Sequence, residues 1–296
     1  MSAILRRGML AGLLLVGCRG DQSRASLEPE AIVADFATPE SVLYDAVADA
    51  YLVSNINGSP LAVDDNGFVS RVDPDSGTVT LKWIEGGRDG VTLNAPKGMA
   101  VVADTLYVAD LTAVRLFDRV RGTPIGEIRI EGSSFLNDVA VGPDGSVYVT
   151  DSGLQAGDDG FVPSGTDAVY VLKDRAAVPV ATGETLARPN GLVTVDGALL
   201  VVTFGANRVL RVGDGGTVPV GETPEGGLDG ILVTDDGRVV LSSWDAAALF
   251  VGPPGGPYEV LADSLEAPAD IGYDPVRQRI LVPLFQANRI ALVSLR

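Results

Sequence analysis

The chain has 296 residues, 46% of them apolar and 21% charged, with 36 glycines and a formal net charge of −17. That charge argues against a nucleic-acid partner, because phosphates would be repelled, and it suits cationic small molecules or bound cations. Histidine is absent, which excludes a Ser-His-Asp triad, a Cys-His pair and an ordinary zinc site. Any chemistry must rest on carboxylates, amides, hydroxyls, Lys or Arg, alone or with a hard cation.

Residues 1–18, MSAILRRGMLAGLLLVGC, read as an address. Arg6 and Arg7 form a positive start. Met9 to Val16 is an apolar stretch too short to span a bilayer as a helix. Leu15-Val16-Gly17-Cys18 then matches the bacterial lipobox, in which the Cys is lipidated and heads the mature chain. The expectation is a lipoprotein signal peptide over 1–17, a polar tether over 18–29 and one domain over 30–296. Cys18 is the single cysteine, so no disulfide framework exists. This predicts an exported lipoprotein of the periplasm or cell envelope. Its lipid is its only membrane contact, and a monomer is expected. Arg19 replaces the aspartate that commonly retains lipoproteins at the inner membrane, which favours the outer one.

The body repeats. A Pro or Leu, a variable residue, a small or acidic residue and an apolar strand recur six times. The variable residue falls at 40, 97, 137, 190, 229 and 269, spaced by 57, 40, 53, 39 and 40 residues. Such spacing suits propeller blades. Each signature leads through a turn such as Pro143-Asp144-Gly145 or Asp236-Gly237 into a second strand, such as VYVTD from Val147. A third strand and an outer strand follow. The last blade stops after three strands, and Ala31 to Asp35 resembles an outer strand. The expectation is therefore an all-β, six-bladed β-propeller closed by its N-terminal strand, since an open ring would leave sheet edges unpaired. The long first spacing is assigned to outer loops at Asp73–Gly77 and Glu85–Gly90. The long third one is assigned to a Gly-rich insertion, Ser152–Asp167, able to cover the channel mouth. The Asp-rich pairs at 64–65, 158–159 and 235–236 lie off the register and read as hairpins.

The first strand of each blade lines the central channel. The variable residues therefore form a ring at one mouth: Glu40, Lys97, Asn137, Asn190, Asp229 and Ala269. A second tier holds Ser41, Gly98, Asp138, Gly191, Gly230 and Asp270. Two carboxylates and two amides make an oxygen-rich cage of the kind calcium prefers. Taken singly, an Asn or Asp at such a position more often caps a turn.

At these residues the chain resembles the senescence-marker-protein/gluconolactonase (regucalcin-like) family. The segments PESVLYDAVADAYLVSNI, LNDVAVGPDGSVYVTD, RPNGL and LDGI carry the resemblance, over roughly residues 30–296. It implies a six-bladed propeller binding one divalent cation, often calcium, and hydrolysing lactones or esters. By that resemblance Glu40, Asn190 and Asp229 bind the metal, and Asp229 also serves as the base. Asn137 contacts metal or substrate, with Asp138 and Asp270 behind the ring. Phe135 stands where sugar-lactone members carry an arginine, two residues before the Asn. Lys97 also departs from the pattern. Its ammonium can replace the cation by pairing with Glu40 and Asp229, or it can stabilise a developing oxyanion.

Two functions stand side by side. One is a calcium-dependent hydrolase of a small-molecule lactone or ester, with Asp229 and Lys97 as catalytic groups and Asn137, Lys97 and Phe135 against the substrate. The other is a non-catalytic propeller that binds a ligand or protein partner in the cell envelope.

Overall fold

The computed structural model describes residues 30–295, apart from Ala34, Asp159 and Asp214. The signal segment, Cys18 and the tether lie outside the described residues. Six four-stranded sheets form the blades, and a further two-stranded hairpin stands on the third. The inner strands are Pro39–Asp45, Pro96–Val102, Leu136–Val141, Pro189–Val195, Leu228–Val233 and Gly272–Asp274.

Burial explains the strand sequences. Second strands such as Ala50–Asn55 and Val239–Ser243 are buried at every residue, because neighbouring blades cover both of their faces. Outer strands such as Ala176–Thr182 lie mostly at the surface. The core is divided among the blade interfaces. At the sixth-to-first interface, Val42, Tyr51, Val53 and Val72 pack on Leu281, Ile290 and Leu292.

The ring closes as the sequence predicts. Glu30–Val33 pairs antiparallel with Arg289–Ser294, placing Glu30 opposite Leu292 and Ile32 opposite Ile290. The sixth blade is thus completed by the start of the domain. Polar contacts across the same seam reinforce it. Tyr51 donates to Asp274 at 2.5 Å, and Arg279 donates to the Tyr51 hydroxyl at 2.8 Å. Ser41 and Asp270 form a parallel bridge between the two inner strands.

Glycine lets the inner strands meet. A Cβ at Gly191 would lie 2.5 Å from the Asp229 carbonyl oxygen, and one at Gly230 would lie 2.5 Å from the Ile271 nitrogen. One at Gly98 would strike the Asp138 carboxylate at 2.1 Å. Real Cβ atoms do not approach so closely, so the channel diameter depends on these positions.

The insertions differ in part from expectation. Ser152–Asp167 does form an elaboration after the second strand of blade 3, the hairpin Leu154–Gly157 with Gly160–Pro163. In blade 1 the extra length lies mainly at 56–67, between the second and third strands. Asp73–Gly77 is instead a tight turn whose Gly77 N–H donates to the Asp73 carbonyl at 2.9 Å. Asp65 is more than a hairpin residue. Its carboxylate accepts the Leu93 N–H at 2.6 Å, and its N–H donates to Asn94 at 3.1 Å. That pins the 56–67 loop to the approach of the next inner strand. Both insertions leave the sheet where second strands end, which is the mouth where inner strands begin.

Ile32 tests closure. Ile32→Ala removes a buried side chain from the closing strand, with an expected loss of about 2–3 kcal/mol in urea unfolding. Val260→Ala, on the exposed outer strand of blade 5, is expected to cost under about 0.5 kcal/mol.

Candidate active site at the channel mouth

Five of the six ring residues owe their position to a β-bulge; Ala269 of blade 6 does not. The register slips between Pro39 and Ser41, Pro96 and Met99, Leu136 and Val139, Pro189 and Leu192, and Leu228 and Ile231. A bulge re-aims a side chain and leaves its backbone groups unpaired. Hydroxyls on the second strands of alternate blades supply the missing acceptors. The N–H groups of Ser41, Asp138 and Gly230 donate to Ser54, Thr150 and Ser242 at 2.7–2.9 Å. Thr150 then donates to the Asn190 carbonyl, and Ser242 to the Ala269 carbonyl, each at 2.8 Å. One hydroxyl thereby holds a bulge in its own blade and a ring residue in the next.

The ring side chains are buried. Glu40, Asn190 and Asp229 are at most 5% exposed, and Lys97 is 1% exposed. Ala269 contributes no functional group. Buried polar atoms nearly always find partners. Here Glu40 Oε2, Asn190 Oδ1, Asp229 Oδ1 and the Trp244 indole N–H have none. Three of these four belong to the residues that the resemblance assigns to a metal. Asn137 donates to Ser152 at 2.9 Å through its amide nitrogen. No described residue donates to its Oδ1.

Electrostatics bind the two tiers together. Burial holds Glu40 well above the usual carboxylate range, and Asp229 and Asp270 push it further. Burial and Asp270 raise Asp229 likewise, while Trp244 and Asn190 beside it draw it partly back. Burial pushes Asp270 up to about 7, against the hydrogen bond from Ser41. Asp138 is raised by burial and by Asp270, although its carboxylate accepts the N–H groups of Val139 at 2.6 Å and Leu192 at 2.9 Å. Those two bonds give Asp138 a structural task, tying blade 3 to blade 4.

Lys97 makes no ion pair with the ring carboxylates, although Glu40 lies near enough to act on its charge. Its Nζ donates to the Ala95 carbonyl at 2.9 Å and sits 4.3 Å from the centre of the Phe135 ring. Burial lowers its pKa to about 8, with Glu40 and Asp110 acting in opposition. No ion pair joins it to Glu40 or Asp229, so its ammonium does not fill the cage between them. Phe135 is buried against it, and Phe161 of the inserted hairpin meets Phe135 edge-on at 6.0 Å.

Sequence reasoning missed a second collar. The residue that follows each second strand is Ile56, Leu111, Ser152, Phe204, Trp244 or Phe285. Trp244 packs between Phe204 at 5.6 Å and Phe285 at 5.2 Å. Phe285 in turn rests on Ile56, Ala95 and Leu111. The signal was present as VTF, SSW and PLF at equivalent repeat positions. Strand patterning alone gave no reason to separate these residues from core.

The donor set suits a hard cation. Two carboxylates and amide oxygens, with no His or Cys, are oxygen ligands of the calcium type. Among the described residues no three acidic, Cys or His side chains close on a single ion position. A cation here must therefore use amide oxygen beside Glu40 and Asp229.

These features define a six-bladed β-propeller with buried, unpartnered oxygens at one mouth of its channel. Solved structures of that fold align with most of the chain. A gluconolactonase from Xanthomonas campestris aligns over 88% of both chains at 19% identity, with a TM-score of 0.67. Regucalcin from Agrobacterium tumefaciens, a calcium-binding protein, covers 90% of this chain and 95% of its own at 13% identity, TM-score 0.62. Virginiamycin B lyase from Staphylococcus aureus, solved with quinupristin, covers 91% of this chain and 99% of its own at 12% identity, TM-score 0.64. The likeness to gluconolactonases and regucalcin extends to the fold. No protein-family model and no curated protein matches the sequence.

The raised carboxylates make stability depend on pH. A carboxyl whose folded pKa exceeds its unfolded one binds more protons when folded, so stability falls as pH rises through that interval. For Asp270 the interval runs from 3.8 to about 7. Glu40, Asp138 and Asp229 act in the same direction. Lys97 titrates above this window. In chelator, the melting temperature is expected to drop between pH 5 and 7.5, and calcium is expected to flatten the decline. Calorimetry across that range reads both.

Proposed function

We propose that the protein is a calcium-dependent hydrolase of a lactone or ester, with its reaction centre at this mouth. The observation that carries the reading is the set of unpartnered oxygens on Glu40, Asn190 and Asp229, buried together where neighbouring carboxylates repel one another. A divalent cation bound there would relieve that repulsion through those oxygens. Glu40, Asn190 and Asp229 would hold it, with Asn137 Oδ1 open to it or to the substrate. When bound, the cation supplies a Lewis acid for the ester carbonyl.

The chain's own groups carry the rest. The Asp229 carboxylate, through the oxygen not given to the cation, takes the proton of the attacking water as the water oxygen bonds to the acyl carbon. The acyl–oxygen bond then breaks, and that proton passes to the departing alkoxide. The product is a hydroxy acid from a lactone, or an acid and an alcohol from an ester. Lys97 makes no ion pair with Glu40 or Asp229 and would lend positive charge to the mouth from its seat between the Ala95 carbonyl and the Phe135 ring. In a chain without histidine, a carboxylate is the natural base.

A second reading has its own support. The aromatic collar also suits a binding protein of the cell envelope that performs no reaction. Calcium and Asp229 separate the two. Saturating calcium is expected to add about 2.7 kcal/mol of stability at a hundredfold excess over Kd, and Glu40→Gln is expected to remove most of that gain. Asp229→Asn is expected to lower metal-dependent turnover by at least about a hundredfold. A calcium response without turnover of any lactone or ester favours the binding protein.

A further inference from the structure

The hydrolase reading leaves the substrate class open, and the walls of the mouth bear on it. A sugar lactone carries hydroxyls on nearly every carbon and needs hydrogen-bonding side chains around it. Among the six residues that follow the second strands, only Ser152 and Trp244 carry a hydrogen-bonding side chain. Phe204, Trp244 and Phe285 make a continuous aromatic run across blades 4 to 6, each ring only half-buried. Phe285 extends it onto Ile56 and Leu111 of blades 1 and 2. The collar breaks only at blade 3, where Ser152 holds Asn137 and Phe135 stacks on Lys97. One side is therefore polar and the rest apolar.

Trp244 links the two regions. Its ring belongs to the aromatic run, yet its indole N–H is buried without a well-formed hydrogen bond, facing Asp229 closely enough to draw that carboxyl's pKa down. A buried donor without an acceptor favours a ligand that supplies one. A lactone or ester does so with its ring or carbonyl oxygen.

Resting on the hydrolase reading, we propose that the substrate is an apolar lactone or ester, bearing an alkyl or aryl group, rather than a sugar lactone. Phe204, Trp244 and Phe285 take the apolar body. The Trp244 N–H donates to the substrate oxygen and turns the carbonyl toward Asp229 and Asn137. Phe161, half-exposed on its hairpin, closes over Phe135 at the edge.

The test pairs turnover with binding. Full-length chain in detergent with calcium is given γ-nonalactone, phenyl acetate and glucono-δ-lactone. The expected kcat/KM is at least about tenfold higher for the two apolar substrates, since a hydrophobic wall discriminates at that level. Phe204→Ala and Phe285→Ala should each raise KM for γ-nonalactone more than they lower kcat. Faster turnover of the sugar lactone overturns the proposal and leaves the hydrolase intact. Binding is read separately through Trp244 fluorescence in a Trp83→Phe background, using an alkyl lactam and a polyhydroxylated lactam as unreactive probes. Tighter binding of the alkyl lactam without any turnover upholds the apolar site and removes the hydrolase. Equal or weaker binding of the alkyl lactam overturns the proposal.

Discussion

Six inner strands must reach a common axis, and this steric demand organises everything else. At the second tier, blades 2, 4 and 5 carry Gly98, Gly191 and Gly230, and a Cβ at each would overlap the neighbouring inner strand. The space so released is filled from other blades. Asp138 lies against Gly98, and Asp270 reaches Ser41 across the closing seam. Buried carboxylates are thus part of how the channel packs, and not an addition to a finished scaffold.

The same convergence creates the chemistry. Bulges at the start of the inner strands turn Glu40, Asn190 and Asp229 into the crowded mouth, and hydroxyls on alternate second strands hold the bulged backbone there. Burial and mutual repulsion then raise the carboxylates, while their free oxygens lack partners. A site in this state costs stability on its own, and a cation bound there would return stability. Lys97 is the nearest built-in cation, but its hydrogen bond to Ala95 and its seat on Phe135 point it elsewhere.

Position along the strands separates structure from access. Turns from inner to second strands gather at the far mouth, where Arg119 pairs with Asp45, and Arg277 bridges Asp49, Asp75 and Asp274. The insertions at 56–67 and 152–167 rise instead at the mouth with the ring. Length added there changes what may enter without disturbing the packed seams. The aromatic collar grows from the same ends of the second strands.

The repeat signature by itself determined the number of blades, the closing strand and the residues of the ring, because equivalent positions in stacked repeats must become neighbours. The family resemblance singled out Glu40, Asn190 and Asp229 within that ring as candidate metal ligands, and the absence of histidine confined any chemistry to carboxylates, amides, hydroxyls, lysine and arginine. Only the tertiary structure decided which of these polar atoms are left without partners. It sent Lys97 toward Phe135, gave Asp138 a structural role and joined Phe204, Trp244 and Phe285 into one wall. A sequence pattern shows which residues share a register. Whether a side chain finds a hydrogen bond, a ring or another charge depends on groups that the chain brings in from other blades, and those meet only when the ring is closed.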